Sequence, residues 1–130
     1  MPGHGMSRED RIRRRSDYQR IKDQGKRFRT RNFLVNYQVL SAGRTRLGVV
    51  VSRGMRNAAA RNRAKRLARE FFRLNRSEIK AGFAQGLGAD AFGLELVVVC
   101  YPGVEKLKYE QVRKELSAGL EQELSRIREP

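Results

Sequence analysis

"GVVVSRGMRNAAARNRAKRLAREFFR", residues 48–73, changes character halfway along, and the change organises the rest of the chain. Its opening, taken with "TRL" before it, is a β-branched run that reads as a strand over 45–53, with Gly48 leaving room for a close neighbour. Arg53-Gly54 ends that run, Asn57 is placed to cap a helix, and from Ala58 strong helix formers continue to about Leu74, where "NRS" interrupts.

At about 100° per residue, Arg61, Lys65, Arg69, Asn62, Arg73 and Arg66 share one arc about 140° wide. Leu67, Ala60, Phe71, Ala64 and Ala68 fill the other side, with Phe72 at the border. One face packs, therefore, and the other is cationic, with Glu70 at its edge as the one acid. Repulsion between like charges four residues apart costs a few tenths of a kcal/mol per pair, so such an arc weakens an isolated helix unless it meets a polyanion. Arg63 falls near about 200°, away from the arc, and can either reach that partner or brace the helix against the fold.

The whole composition agrees. In 130 residues there are 29 Lys and Arg against 14 Asp and Glu, a net +15. Residues 1–76 carry 22 bases and 5 acids, whereas 77–130 carry 7 and 9, so the excess is concentrated in the first part. That asymmetry points to a phosphate-bearing partner, with nucleic acid ahead of acidic lipid. The apolar runs are too short for a spanning helix, and no membrane partner is expected. Cys100 and His4 are the sole residues of their types, which leaves no zinc set or Cys/His pair and fits a reducing, cytoplasmic setting. The length suits one domain.

Outward from the central stretch, "SREDRIRRR" (7–15) is nearly all charge, and residues 1–15 are expected to be a loose basic segment ahead of one domain over 16–130. "SDYQRIKDQG" (16–25) is a short helix with Ser16 as cap and Gly25 as stop. From Phe33 to Leu40 the chain alternates, placing Phe33, Val35, Tyr37 and Val39 on one face. Only "SAGR" separates it from the strand at 45–53, so the two are expected to pair as an antiparallel hairpin. A short helix is expected over Glu78–Ala84, a buried strand over "LELVVVCY" (94–101), and a closing helix carrying Val112, Leu116, Leu120, Leu124 and Ile127.

The Val-rich strand, the Asn-Ala pair, "RNR" and "KRL" together resemble the bacterial ribonuclease P protein family. "RIRRRSDYQRIKDQGKRF" is similar to that family's basic opening, "LELVVVCYPG" to its last strand and "LKYEQVRKEL" to its closing helix. The resemblance implies an α+β two-layer sandwich in the order α-β-β-β-α-β-α, with a four-stranded sheet and a left-handed strand-helix-strand crossover. The fourth strand would be a short piece near Arg27–Arg29.

It also implies a function. The family's protein is the small partner of a catalytic ribonuclease P RNA, which removes the 5′ leader from precursor tRNA. The RNA holds the Mg2+, and the protein supplies neither catalytic residue nor metal ligand and lowers the magnesium requirement. Arg61, Asn62, Arg63, Lys65, Arg66, Arg69 and Arg73 would face the catalytic RNA, with further basic contacts from Arg11, Arg13, Arg14 and Arg15. A cleft between the first helix and the sheet would hold the leader, on Tyr18, Lys22, Asn36, Tyr37 and Arg53.

Two departures bear on that cleft. Lys22 stands where many members carry a second aromatic, and Asn36 where many carry Tyr, with Tyr37 one residue later. Either a charge contact from Lys22 replaces a ring, or a bulge turns Tyr37 into the cleft; an unbroken strand would leave Tyr37 on the opposite face. Charge alone also fits a ribosomal or general RNA-binding protein. A helix-turn-helix DNA binder fits less well, because strands flank the cationic helix.

Overall fold

The computed structural model describes residues 7–88 and 92–128. The helices are α1 (Arg15–Gln24), α2 (Ala58–Leu87) and α3 (Tyr109–Arg128), and the strands are β1 (Lys26–Arg29), β2 (Phe33–Leu40), β3 (Thr45–Val51) and β4 (Gly93–Cys100). The α-β-β-β-α-β-α order and the short first strand agree with expectation. The expected cap at Ser16 does not, because α1 already begins at Arg15 and Arg14 occupies the cap position.

The expected β2–β3 hairpin is not formed. The sheet runs β1-β2-β4-β3, with β4 inserted antiparallel to β2 and parallel to β3. Both faces of β4 are apolar over most of its length, which suits a central strand with neighbours on each side. The loop at 41–44 must then cross the start of β4, and it does so at Gly93. A Cβ there would come within 2.6 Å of the Ala42 carbonyl oxygen, so only glycine lets the loop lie across the strand. The parallel β3–α2–β4 unit is the crossover implied by the family resemblance.

One sheet face carries Phe28, Phe33, Val35, Tyr37, Leu94, Leu96 and Val98, packed on Leu67, Phe71 and Phe72 of α2 and Val112, Leu116 and Leu120 of α3. This is the two-layer sandwich. On the reverse face α1 adds a smaller cover, with Ile21 and Ile12 against Val97.

The separate helix expected at Glu78–Ala84 is instead continuous with α2. Asn75 leaves helical geometry (φ −117°, ψ 15°), but its side-chain amide donates to the Phe71 carbonyl at 2.8 Å. That bond satisfies a carbonyl exposed by the kink, so the chain resumes its helical course. Among the described residues no helix is long and apolar enough to cross a membrane.

Residues 7–14 make specific contacts where a loose segment was expected; residues 1–6 of that segment lie outside the described residues. The Ile12 N–H donates to the Leu47 carbonyl at 2.9 Å, extending the sheet beside β3. Asp10, 6% exposed, accepts from Ser7 Oγ at 3.0 Å and pairs with Arg76 at 2.9 Å and Arg44 at 3.3 Å. The Arg76 hydrogen bond holds its carboxyl down to about 2. Burial alone would push a carboxyl the other way, so the arginine bond outweighs desolvation here.

Candidate nucleic-acid interface

The cationic face begins with a well-made helix start. Asn57 Oδ1 accepts from the Ala60 N–H at 2.9 Å, satisfying a donor that the first turn leaves free. Ala64, Leu67, Ala68, Phe71 and Phe72 are buried, which turns Arg61, Asn62, Arg66 and Arg69 outward, with Lys65 half-buried beside them.

The structure brings Arg11 to this arc. With Asn62, Arg66, Arg69, Glu70 and Arg73 it lines an open cleft of about 360 Å³. The backbone bridge at Ile12 and the Asp10–Arg76 pair hold Arg11 there. A neighbouring cleft of about 380 Å³ gathers Arg11, Arg13 and Arg14 with Arg8 and Arg46. Arg15 is exposed in the first turn of α1.

Two residues of the expected RNA-facing set do other work. Arg63 donates from Nε to the Glu105 carbonyl at 2.8 Å and from Nη2 to the Leu107 carbonyl at 3.0 Å. It braces α2 against the loop after β4, the second of the roles its wheel position allows. Arg73 grips Glu70 through Nε at 3.0 Å and Nη2 at 2.6 Å, and so holds that carboxyl below its usual range. Cys100 is buried, and desolvation pushes its thiol up to about 12, so it stays protonated and unreactive near neutral pH.

The second surface is the sheet face under α1. A partly buried ion cluster seats the helix. Glu95, 3% exposed, accepts from Arg20 at 2.6 Å and Arg46 at 2.5 Å, and both arginines also reach Asp17. Tyr18 lies over Gly48, where a Cβ would sit 2.7 Å from the phenol oxygen, and the phenol donates to the Ile12 carbonyl at 3.0 Å. Gly48 thus has the close neighbour that the sequence anticipates. The ring packs and is half-exposed at once, and desolvation raises its phenol pKa.

Asn36 shares that face but is buried, between Arg27 and Val97 in register. Lys22 and Arg53 are exposed. Tyr37 does not belong to the cleft. The β2–β4 register runs unbroken from Phe33 to Leu40, so no bulge turns it, and it lies 2% exposed in the main core. Its hydroxyl donates to Glu123 at 2.5 Å and its ring meets Phe83 edge-on at 5.2 Å. Burial and the Glu123 carboxylate raise its pKa well above the ordinary phenol value.

Beyond α1 the same face carries a partly exposed apolar strip. Leu34, Val99 and Val50 are adjacent across three strands, and Val50 is 37% exposed. Sequence reading did not single out this strip or Arg29 and Tyr101 at its end, although alternation from Glu95 through Val97 and Val99 places Tyr101 on this face. Among the described residues no group of three or more His, Cys, Asp or Glu gathers as a metal site.

A cationic helix face joined by an N-terminal arginine, and an apolar strip bordered by bases on the reverse of the sheet, define an α+β nucleic-acid-binding protein. Residues 6–123 match the family model for ribonuclease P. The chain belongs to the ribonuclease P protein family, whose members are RNA-binding subunits that assist RNA-based processing of tRNA 5′ ends.

The ribonuclease P protein component of Syntrophobacter fumaroxidans is 41% identical over 119 residues, covering 92% of each chain. That of Syntrophus aciditrophicus is 34% identical over 122 residues, covering 94% of this chain and 93% of its own. The ribonuclease P protein of Thermotoga maritima superposes with a TM-score of 0.68 at 28% identity, over 86% of this chain and 96% of that one. A general or ribosomal RNA-binding role would account for the charge but not for these matches along nearly the whole chain.

Proposed function

We propose that the α2 arc and the N-terminal arginines dock on the catalytic ribonuclease P RNA, while the sheet face under α1 receives the 5′ leader of precursor tRNA. The observation that carries this reading is the presence of two unlike surfaces, one cationic and one apolar. Arg61, Lys65, Arg66 and Arg69 lie along α2, with Arg11 beside Arg66 and Arg69, whereas Tyr18 and Asn36 lie on the sheet face covered by α1, which also carries the strip of Leu34, Val99 and Val50.

In this reading the chemistry and its Mg2+ belong to the RNA, and the complex works in the cytoplasm. The protein's cations neutralise phosphates that metal ions would otherwise have to screen, which lowers the magnesium requirement. Asn62 can donate and accept at once, so it suits a sugar or base edge within the cationic arc. An apolar strip edged by bases tolerates many leader sequences, because every base has a stacking face.

The test is reconstitution with ribonuclease P RNA and cleavage of precursor tRNA at limiting Mg2+. The protein should raise the cleavage rate over RNA alone, and it should raise affinity for precursor tRNA more than for mature tRNA. Equal rates with and without protein would overturn the reading.

A further inference from the structure

We infer that Arg29 and Tyr101 together form the stacking platform for one unpaired leader base, in place of the rings that Lys22 and Asn36 do not supply. The inference rests on the proposal that the leader lies on this sheet face, and it assigns a site there.

Tyr101 lies just past the end of β4. Its N–H donates to the Asn32 carbonyl at 3.1 Å and the Ser52 N–H donates to the Cys100 carbonyl at 2.9 Å, so the ladder continues one residue beyond the strand. Side-chain alternation continues with it. Cys100 enters the main core, and Tyr101 is turned to the reverse face beside Val99 and Leu34. Arg29 reaches the same face from β1, because Phe28 before it is buried in the main core.

The two side chains already make a cation–π contact. The guanidinium carbon of Arg29 lies 4.9 Å from the centroid of the Tyr101 ring. Tyr101 is half-buried and Arg29 exposed, so the ring is held from below while the guanidinium presents a planar, charged outer surface. An unpaired base stacks on a guanidinium plane as readily as on an aromatic ring, and the N–H groups at its rim can reach the adjoining phosphate. The position is at the end of the apolar strip, where a strand of RNA crossing Leu34, Val99 and Val50 would place its next base.

The other aromatic of this face is less free. Tyr18 is fixed by its hydroxyl bond to Ile12 and packs closely against Gly48. Among the described residues, Tyr101 is therefore the ring on this face that carries a charged plane above it.

The experiment places 2-aminopurine at successive leader positions of precursor tRNA bound to the reconstituted holoenzyme. One position should be quenched by stacking. Tyr101→Leu and Arg29→Ala should each restore its fluorescence and lower the affinity gained from the leader by roughly tenfold, and Tyr101→Phe should keep both. Affinity for mature tRNA and assembly with the RNA should not change.

Unchanged quenching at every position in Tyr101→Leu, with a wild-type protein that still gains affinity from the leader, would overturn the platform and leave the leader cleft standing. If the leader adds no affinity in the wild-type holoenzyme, the cleft falls and the platform with it. Should Tyr101→Leu fail to assemble, Arg29→Ala decides alone, since Arg29 is exposed on a sheet edge: retained quenching overturns the inference.

Discussion

Arg61 and Arg63 lie two residues apart on α2, and replacing each by alanine should give opposite results. Arg61 is one of five outward cations, with Lys65, Arg66, Arg69 and Arg11, while Arg63 is bonded to the Glu105 and Leu107 carbonyls. With about 0.9 counterions released per neutralised phosphate, five contacts give a slope of log affinity against log salt of about −4 to −5. That is a fall of roughly 10²–10³ between about 50 and 200 mM salt. Arg61→Ala should make the slope shallower by about 0.9. Arg63→Ala should leave the slope alone and instead cost about 1–2 kcal/mol of stability, the low end for charge-assisted bonds because its side chain is exposed. Filter binding to ribonuclease P RNA across a salt series gives the slope, and urea unfolding followed by circular dichroism gives the stability. An Arg63→Ala slope as shallow as that of Arg61→Ala, with stability unaltered, would refute the division of roles.

Three further outcomes test the framework around these surfaces. Asp10→Asn should lose up to about 2 kcal/mol at neutral pH, since a carboxyl held at about 2 rather than 3.8 stabilises the fold above the unfolded value and loses that contribution as pH falls through the folded one; acid titration of both proteins should show their stabilities converging below pH 4. Tyr37→Phe should cost about 1–3 kcal/mol by leaving Glu123 buried without its phenol donor. Because the folded phenol pKa is raised, the wild type should lose its advantage as pH climbs past about 10, which a comparison of alkaline unfolding would detect. Gly48→Val should drive Tyr18 from its seat and cost about 1–3 kcal/mol by overpacking, read as a lowered melting temperature with weakened leader binding.

What the sequence revealed depended on whether the signal was local. The α2 face, the Asn57 cap and the closing helix follow from periodicity and capping chemistry within one segment. The hairpin was misread because a four-residue connection between two strands ordinarily pairs them, and nothing nearby announces that β4 comes between. The clue was remote: an apolar run at 94–100 that needs two neighbours, and a glycine ahead of it. Tyr37 follows the same rule, since its face depends on whether β2 keeps register across eight residues. The N-terminal segment was misjudged because charge runs read as solvated, and the partners that bury Asp10 lie at Arg44 and Arg76, far along the chain.

The position of β4 also sets an order of assembly. Its two sheet neighbours, β2 and β3, precede it in the chain, and the thirty-residue α2 separates it from β3. A nascent chain that has just completed α2 holds β1 paired with β2 but no strand to join β3 to them, and Phe33, Val35 and Leu47 still lack β4 beside them. Closure of the sheet is therefore a late, long-range event, the kind of step that slows folding and lengthens exposure of sticky edges. During synthesis the strongly basic part emerges first, so its surface can meet polyanions before the sheet is finished.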